Sequence, residues 1–562
     1  MVKTSLIVLF NCLYILAANI DPIHGKNGMV VSTSKQASNA GIEILKKGGN
    51  AIDAAVTVGF ALAVTSSSNG NIGGGGFLVA AMANGESFSL DHREKAPATS
   101  QRNMFLNDSG NVIPGMSLYS RAGSGVPGTV DGLIKALKDH GSGNITLREA
   151  LAPAIRFAQK GFELSDYEAR RFNIYKTFFE RNQAAKEIFI RKDGQPWKKG
   201  DKFIQRDLAK TLKRIAKFGR DGFYLGPIAD MIVDEMQRGN GLITHKDLAG
   251  YSSIYREPVK GQYKNHTILS MGPPSSGGAL LVHMLNMLEH YPIDSLGWNS
   301  SEYVHLLTEV ERRAYADRAE HMGDPDYWTV PLKMLLSKEY AKGRIKDINM
   351  QKATPSDSVS ASKPPQYESP ETTHYSVVDK WGNAVSVTTT INLGYGNGHI
   401  VKGAGFFLNN EMDDFSSKPG VPNAFGLIGN EANAIQANKR PLSSMTPTIV
   451  LKNKRPFIVI GSPGGSTIIT TTMQTILNVI DHNMNIQEAV SSARFHSQWF
   501  PDVIQTEPRG LAKDVIQNLK RKGHSLIPYS GQYIGEANGI LINEDGFYGG
   551  ADSRGETSAL GY

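Results

Sequence analysis

Cysteine is almost absent from the chain. Cys12 is the only one among 562 residues, and it lies within the first 18. These 18 residues have the pattern of a secretory signal, because Lys3 supplies a positive charge, a mostly apolar stretch follows at 5–16, and Ala17-Ala18 offers small residues for cleavage. A mature chain that starts at residue 19 would contain no thiol, which excludes disulfides, cysteine catalysis and thiolate metal sites. We therefore predict a secreted protein without a disulfide framework.

Long apolar runs are also lacking. The stretch at 5–16 is too short to span a bilayer comfortably, so we expect no stable membrane anchor. Residues 51–64 are apolar on nearly every side, but Asp53 lies in the first turn and Asn50 precedes it as an N-cap. This pattern predicts a helix buried in the core rather than a membrane span.

Motifs for nucleotides, metals and nucleic acids are missing as well. The glycine run at 73–76 is not followed by Lys-Ser or Lys-Thr, so it favours a tight turn over a phosphate loop. No group of His, Asp and Glu has metal-ligand spacing, and His305 and His321 are isolated, so we predict neither a metal site nor a cofactor. Lys and Arg concentrate at 170–217 and alternate with aromatic residues at helical spacing, which favours a solvated helix face over nucleic-acid binding.

Composition indicates a large globular protein. Apolar residues make up 40% and charged residues 20% of the chain, and the net charge is +7. A chain of 562 residues requires two lobes or one large multilayer core. Residues 128–345 have a mainly helical pattern, including a long helix at 304–319 whose Glu and Arg residues are typical of an ion-paired surface.

The character of the sequence changes around residues 353–370, which have low hydrophobicity and contain four prolines. Alternating strands are predicted at 375–378 and 384–389. Further strands are predicted at 406–408, 449–451 and 457–460, and a helix near Thr467. Composition alone therefore supports a boundary between residues 371 and 372.

Four N-glycosylation sequons are compatible with export, although such triplets also occur by chance. They begin at Asn107, Asn144, Asn265 and Asn299. None follows Thr372.

Thr372 stands where a new amino terminus could be made. A cut between Glu371 and Thr372 would place a hydroxyl and a free α-amine on one residue, and an α-amine has a pKa of about 7.7–8.0. Such an amine can activate the adjacent hydroxyl as a nucleophile, and the same hydroxyl could first attack the carbonyl of Glu371. The alternative is ordinary strand composition, because Thr-Thr before an apolar run suits a pleated surface.

A series of motifs carries a resemblance to a known family. The motifs are GGNAIDAA (48–55), DHREKAP (91–97), AYADR (314–318), TTHYSV (372–377), LNNEMDDF (408–415), RPLSSM (440–445) and GSPGG (461–465). With these motifs in this order, residues 27–562 resemble the γ-glutamyltransferase family, also called γ-glutamyl transpeptidase or glutathione hydrolase, of the N-terminal-nucleophile hydrolases.

The resemblance implies an α+β fold, a four-layer αββα sandwich built jointly by two subunits of one precursor. After removal of a signal peptide at 1–18, autocatalytic cleavage would give a large subunit, 19–371, and a small catalytic subunit, 372–562, that stay together as a heterodimer.

The resemblance also implies the site residues. Thr372 would be the nucleophile, Thr390 its hydrogen-bond partner, and the amides of Gly464 and Gly465 the oxyanion hole. The ligands of the substrate α-carboxylate would be Arg93, Ser443 and Ser444, and those of its α-ammonium Asn392, Glu411 and Asp414. These residue types suit the binding of an amino acid head, because a guanidinium binds a carboxylate through two hydrogen bonds and carboxylates compensate a buried ammonium. Phe425 lies in a segment that covers the pocket in some relatives.

The implied activity is cleavage of the γ-glutamyl bond of glutathione and its conjugates through an ester on Thr372, with transfer to amino acids, dipeptides or water and without a cofactor. Two alternatives stay open. One is an acylase of the same fold for glutaryl side chains, whose substrate has no ammonium for Glu411 and Asp414. The other is a catalytically silent secreted binding protein.

Overall fold

The structure is a computed structural model that describes residues 20–360, 372–531 and 533–562. The predicted signal at 1–18 and the cleavage-site residue Glu371 lie outside the described residues. The strands are β1 (Ile23–Gly25), β2 (Gly28–Ser32), β3 (Gly75–Ala81), β4 (Ser87–Asp91), β5 (Phe162–Glu163), β6 (Lys202–Phe203), β7 (Ile254–Arg256), β8 (Val259–Tyr263), β9 (His266–Ser270), β10 (Thr373–Asp379), β11 (Ala384–Thr390), β12 (Thr448–Lys452), β13 (Arg455–Ile460), β14 (Phe495–His496), β15 (Ile504–Thr506), β16 (Leu526–Pro528), β17 (Asn538–Asn543), β18 (Gly546–Ala551) and β19 (Ser558–Gly561).

The helices flank these strands on both sides. They are α1 (Lys35–Lys46), α2 (Ala51–Thr65), α3 (Met116–Tyr119), α4 (Thr129–His140), α5 (Leu147–Lys160), α6 (Asp166–Ile174), α7 (Lys176–Phe179), α8 (Gln183–Phe189), α9 (Arg206–Phe218), α10 (Asp221–Tyr224), α11 (Pro227–Gln237), α12 (His245–Gly250), α13 (Gly277–Leu288), α14 (Ile293–Leu296), α15 (Ser301–His321), α16 (Leu332–Leu335), α17 (Lys338–Arg344), α18 (Ile468–Ile480), α19 (Ile486–Ser491) and α20 (Lys513–Lys522).

Two seven-stranded antiparallel sheets form the centre of the molecule. One has the order β1-β18-β17-β13-β12-β9-β8, and the other has the order β19-β2-β10-β11-β3-β4-β7. Each sheet takes strands from both sides of residue 371, and β10 and β11 lie between β2 and β3. The parts of the chain before and after this residue are therefore interleaved.

Successive side chains along the strands point alternately to the other sheet and to the helices. Met29 and Val31 of β2 face the other sheet and pack in one cluster with Ile449 and Val459, whereas Val30 faces the helices. Helices α1, α2, α4 and α5 cover the second sheet, and α13, α15 and α18 cover the first. The predicted α+β, four-layer αββα arrangement is confirmed.

Helix α2 shows how local sequence fixes one of these layers. All of its residues are buried, and Asn50 and Asp53 form a capping box at its start, as the sequence predicts. The Asp53 carboxylate accepts hydrogen bonds from the amides of Asn50 at 2.8 Å and Ser142 at 3.1 Å. Among the described residues, no helix is both long and apolar enough to cross a membrane.

The region 128–345 is mainly helical, as predicted, and it also contains β8 and β9, which form an edge of the first sheet and are joined by a turn in which Lys264 has a φ of 48°. One strand assignment made from the sequence is wrong. Residues 406–408 are not a strand; Phe407 forms one isolated bridge with Ile400. Short apolar runs do not distinguish a strand from other buried chain, and Gly405, with a φ of 80°, precedes this run.

The charged helix α15 is not an ion-paired surface, contrary to the prediction. Glu309, Glu311, Arg312 and Arg313 are all buried. The Glu309 carboxylate accepts hydrogen bonds from Arg312 at 2.6 Å and Arg313 at 2.7 Å. The Glu311 carboxyl accepts a hydrogen bond from the amide of Ser497 at 3.0 Å, and burial raises its pKa. The polar pattern therefore does not mark an exposed face.

We predict that Asp53→Ala lowers the free energy of unfolding by about 1–3 kcal/mol, because the amides of Asn50 and Ser142 lose their acceptor. Urea unfolding would measure the change. The control is Asp108→Ala, which removes an exposed carboxylate and should shift stability by less than about 0.5 kcal/mol. Equal effects of the two changes would contradict the role given to the capping box.

Candidate active site

Thr372 lies immediately before β10, at the centre of the second sheet. The register pairs Thr373 with Thr389, so the next pair in the ladder sets Thr372 opposite Thr390. Thr372 is 4% exposed, and the Asn69 side-chain amide donates to its carbonyl at 3.0 Å. The Thr390 hydroxyl accepts a hydrogen bond from the amide of Asn392 at 2.8 Å. The two threonines thus lie side by side at one end of the sheet.

The structure brings nearly all predicted site residues to one small cavity, of about 20 Å³, here called the inner cavity. Its lining includes Arg93, Thr372, Thr390, Asn392, Glu411, Asp414, Ser443, Ser444 and Gly465. Gly464 lines an adjoining, larger cavity that Thr372 also lines. These residues come from distant parts of the sequence, and the β10–β11 pair and the loops around it bring them together.

Gly464 and Gly465 form the turn between β13 and α18. They have φ values of 136° and 55°, which favour glycine. A Cβ atom on Gly465 would lie 2.3 Å from the ring of Phe425. Because the turn leads directly into α18, its amides lie at the positive end of a helix, where a negative charge is stabilised. The predicted oxyanion hole has a suitable backbone here.

Arg93 lies just after β4 and is buried. One terminal nitrogen of its guanidinium donates to Glu411 and the other to Asp414. The same group also donates to the carbonyls of Pro441 and Leu442, each at 3.3 Å. The predicted ligand of a carboxylate and two predicted ligands of an ammonium therefore contact one another. Opposite charges for a zwitterionic amino acid head are assembled at one place.

A third carboxyl, Glu94, lies 3.7 Å from the Arg93 guanidinium, and the sequence analysis missed it. Burial raises the pKa of Glu94 to about 7, although Arg93 opposes this shift. Burial also raises the pKa values of Glu411 and Asp414, against the same guanidinium. In each case the effect of burial outweighs that of the Arg93 guanidinium, so the pKa values of all three carboxyls lie above their ordinary range. The position of Glu94 next to Arg93 in the DHREKAP motif is the feature of the sequence that could have identified it.

Arg318 is a second residue that sequence reasoning missed. It lines the inner cavity, and burial lowers its pKa to about 10. Its guanidinium donates to the hydroxyls of Ser276 at 2.9 Å and Ser444 at 3.3 Å. Arg318 therefore orients Ser444 and adds a second positive charge. It belongs to the AYADR motif, but its helix resembled a charged surface.

The remaining predicted ligands are held by their own loops. The amide of Met445 donates to the Ser443 hydroxyl at 3.1 Å. Asn392 has a φ of 73°, and its side-chain amide donates to the carbonyl of Asn410 at 2.9 Å. Phe425 lines the cavity, and Gln498 donates to its carbonyl at 3.2 Å.

His305 is not isolated, contrary to the sequence prediction. Ligand atoms of His305, Glu309 and His524 lie within 4.8 Å of one another, and all three side chains are buried. The two histidines are joined by a hydrogen bond of 2.7 Å, and Glu309 is compensated by Arg312 and Arg313. These partners account for the cluster as an internal hydrogen-bond network.

The predicted sequons lie outside the site. Asn107, Asn144 and Asn265 are exposed, and Asn299 is half-buried with its side-chain amide donating to the carbonyl of Ala493 at 3.1 Å. Their glycosylation remains a prediction.

Two layers of helices around two antiparallel sheets, with a threonine at the start of a central strand, define an N-terminal-nucleophile hydrolase fold. The sequence profile of the Gamma-glutamyltranspeptidase family matches residues 37–562. The Glutathione hydrolase proenzyme of Escherichia coli (strain K12) is 46% identical over 534 residues, which cover 95% of this chain and 91% of that protein. The Glutathione hydrolase proenzyme of Pseudomonas sp. (strain A14) is 45% identical over 555 residues, covering 97% and 96%.

Solved structures agree with this assignment. The cephalosporin acylase from Bacillus halodurans superposes with a TM-score of 0.86 at 26% identity and covers 99% of both chains. The γ-glutamyltranspeptidase of Helicobacter pylori gives a TM-score of 0.57 at 43% identity, covering 58% of this chain and 94% of that chain. The chain belongs to the γ-glutamyltranspeptidase family. The predicted family and its enzyme class, γ-glutamyltransferase or glutathione hydrolase, are confirmed.

We predict that Glu94→Gln stabilises the protein at alkaline pH. The folded pKa of about 7 lies above the ordinary 4.5, so the folded protein holds a proton that the unfolded chain releases, and stability falls as pH rises through this window. The Glu94→Gln side chain has no proton to lose in this range. The free energy of unfolding of the variant should therefore exceed that of the parent by an amount that grows from near zero at pH 4 to about 1–3 kcal/mol at pH 8.

Urea unfolding at pH 5 and pH 8 would measure the difference. Glu86→Gln, on the exposed turn between β3 and β4, is the matched control and should follow the parent protein at both pH values. A parallel pH profile for Glu94→Gln and the parent would show that Glu94 is ionised throughout.

Proposed function

We propose that the chain is a secreted proenzyme that cuts itself between Glu371 and Thr372 and then cleaves and transfers γ-glutamyl groups. Its substrates are glutathione and related γ-glutamyl compounds. The observation that carries this proposal is the position of Thr372 in one cavity with Arg93, Glu411 and Asp414. The proenzyme names of the relatives support the processed, two-subunit form.

Maturation uses the Thr372 hydroxyl. It attacks the carbonyl of Glu371, the bond from that carbonyl to the Thr372 nitrogen breaks, and an ester forms on the threonine oxygen. Water then hydrolyses the ester, which releases the Glu371 carboxylate and leaves a free amine on Thr372. The products, 19–371 and 372–562, stay together because both sheets contain strands from both segments.

Turnover repeats this chemistry on an external amide. The free amine of Thr372 takes the proton of its own hydroxyl, and the oxygen attacks the γ-carbonyl of the substrate. The negative charge on the carbonyl oxygen is stabilised by the amides of Gly464 and Gly465. The C–N bond breaks, the departing amine receives the proton, and a γ-glutamyl ester remains on Thr372. Water or an acceptor amine then attacks the ester and restores the hydroxyl.

The charges of the inner cavity favour a γ-glutamyl over a glutaryl group. A γ-glutamyl group carries an α-carboxylate for Arg93 and the two serines, and an α-ammonium for Asn392 and the acids. Its ammonium would lie beside the carboxylates of Glu411 and Asp414. A glutaryl group has no ammonium, so its binding would leave these carboxyls uncompensated.

The inner cavity must open to admit this group. Its volume of about 20 Å³ is close to that of one or two water molecules. Phe425 and Leu427 line it, and the contacts of Arg93 with Glu411 and Asp414 occupy its polar end. Substrate therefore separates these charged side chains and displaces the aromatic ring outward.

The first test compares two isosteric changes one residue apart. Thr372→Val should give a chain that remains uncut and loses γ-glutamyl anilide hydrolysis by at least about 10³-fold, because it lacks the nucleophile. Thr373→Val is the control. It removes a buried hydroxyl that bonds Thr33 at 2.8 Å, so it should be cut and active and lose only about 1 kcal/mol of stability. Gel migration, N-terminal sequencing and chromophore release are the measurements.

The outcomes separate the candidate functions. Cleavage of the Thr372→Val chain at the same bond would refute the nucleophile. Faster hydrolysis of a glutaryl anilide than of a γ-glutamyl anilide by the parent protein would identify an acylase instead. A parent protein that is secreted but never cut would identify a silent binding protein.

The oxyanion amides generate a further prediction. Gly465→Ala should lower kcat/KM for a γ-glutamyl anilide by about 10²-fold or more, because its Cβ forces the turn or Phe425 to move. Gly382→Ala, in the β10–β11 turn, has a φ of 92° and open space around the added methyl group. It should reduce stability by about 1–2 kcal/mol through backbone strain and leave kcat/KM unchanged. Similar kinetics of the two variants would exclude the assigned role of Gly465.

A further inference from the structure

The loop at 66–72, which follows helix α2, contacts both threonines of the site. The Asn71 carboxamide donates to the carbonyl of Thr390 at 3.0 Å and accepts a hydrogen bond from the amide of Gly74 at 2.9 Å. The Asn69 carboxamide donates to the carbonyl of Thr372 at 3.0 Å. The loop therefore holds the backbone of each threonine through one asparagine.

The Asn69 side chain uses only part of its hydrogen-bonding capacity. A carbonyl only accepts hydrogen bonds, so the nitrogen of the carboxamide faces Thr372 and its oxygen, Oδ1, is the remaining atom. Oδ1 is buried and has no hydrogen-bond partner among the described residues, whereas the oxygen and the nitrogen of Asn71 both have partners. A buried acceptor that lacks a donor is costly, and a functional role is one reason for a protein to keep it.

This oxygen can reach the nitrogen of Thr372. Within one residue the nitrogen and the carbonyl oxygen are at most about 3.6 Å apart, and the two polar atoms of a carboxamide are about 2.3 Å apart. A carboxamide can therefore contact both backbone groups of one residue, as a neighbouring strand does in an antiparallel pair. Asn69 and Thr372 also line the adjoining cavity together.

The proposed cleavage changes what this nitrogen can donate. In the uncut chain it carries one hydrogen and is bonded to the carbonyl carbon of Glu371. The cut converts it to an α-amine with two hydrogens and a lone pair, or to an ammonium with three hydrogens. One hydrogen can then bind an acceptor while the lone pair takes the proton of the Thr372 hydroxyl.

We propose that Asn69 is a positioning residue for the nucleophile, and that its Oδ1 accepts a hydrogen bond from the α-amine of Thr372 after cleavage. The carboxamide then holds Thr372 at both its carbonyl and its amine, which directs the lone pair of the amine to the hydroxyl. This inference rests on the proposed function, because it requires that cleavage makes the amine and that the amine acts as the base.

An acceptor at this position also affects when the amine loses its proton. A hydrogen bond to Oδ1 favours the ammonium over the neutral amine, so deprotonation occurs at a higher pH than it would without Asn69. Other ionisable side chains act on the same amine from the two cavities that Thr372 lines. They are Arg93, Arg318, Glu411 and Asp414 in the inner cavity, and Tyr167, Arg170, Arg171, Tyr175, Tyr533, Glu536 and Arg554 in the adjoining one. A change at Asn69 leaves all of these groups in place.

The test compares two changes of similar size that should have opposite effects. Asn69→Asp keeps an acceptor and makes it negative, so the acid limb of the kcat/KM profile should move up by about one pH unit. Asn69→Leu removes the acceptor, so the limb should move down by about half a pH unit. Its plateau should also fall about tenfold, because the amine is no longer oriented. Hydrolysis of a γ-glutamyl anilide by the cut proteins from pH 5 to pH 10 is the measurement.

Ser67→Ala is the matched control. It removes a hydroxyl from the same loop that bonds the carbonyl of Val64 at 3.3 Å, and Ser67 lines neither cavity of Thr372. Its pH profile should coincide with that of the parent. Both Asn69 variants lack the donor to the Thr372 carbonyl, so a purely structural role of Asn69 would lower the plateau in both and leave the acid limb in place.

Acid limbs that superpose with that of the parent, or that shift in the same direction in both Asn69 variants, would overturn the assignment and leave the proposed function intact. Failure of both variants to be cut, with Ser67→Ala cut normally, would also overturn it, because Asn69 would then act before the amine exists. If only Asn69→Leu stays uncut, the direction of the shift in Asn69→Asp decides. A parent protein that is never cut would overturn both the assignment and the proposed function.

Discussion

The position of β10 between β2 and β11 determines what Thr372 can do. The ladder starts at Thr373, which pairs with Thr389, so the strand keeps all of its hydrogen bonds whether or not the preceding peptide bond is intact. A chain break at this point removes little structure, because strands from both segments alternate in both sheets. The same pairing holds Thr372 beside Thr390 within a packed core, where neither side chain has freedom to drift. Cleavage and catalysis at one residue are thus compatible with a rigid scaffold.

The cluster of charged residues next to Thr372 destabilises the folded protein. Arg93, Glu94 and Glu411 are buried and Asp414 is largely so, and burial raises the pKa values of the three acids despite the guanidinium. Buried charges that remain short of one partner destabilise a fold, and such groups concentrate at functional sites. A bound amino acid head would place its ammonium beside these acids and its carboxylate at the guanidinium, so each of its charges would meet one of opposite sign. The unfavourable electrostatics of the unliganded site therefore become selectivity for an amino acid head.

Local sequence predicted the parts of the fold that depend on neighbouring residues. Asn50 and Asp53 identified the start of α2, and alternation identified β10 and β11, whose hairpin places Thr390 opposite Thr372. Most site residues were identified through the resemblance, since spacing in the sequence does not reveal which loops converge.

The predictions that were wrong are those that depend on burial in the tertiary structure. The charges of α15 resembled an exposed face because their partners, including Asp502 for Arg312, lie far away in the sequence. Arg318 and Glu94 were overlooked for the same reason, because their role is set by what packs around them.

The two cavities that meet at Thr372 impose different degrees of selection. The inner cavity is small and buried, and it is lined by charges of both signs, so an acyl group that lacks one of its polar contacts leaves a buried charge unpaired. The adjoining cavity, of about 510 Å³, is much larger, and Arg170 in its lining is 67% exposed and paired with Asp166, so a lost contact there is replaced by water. The structure therefore constrains a group bound in the inner cavity more tightly than a group on the other side of Thr372. This asymmetry follows from burial on one side of the threonine and exposure on the other.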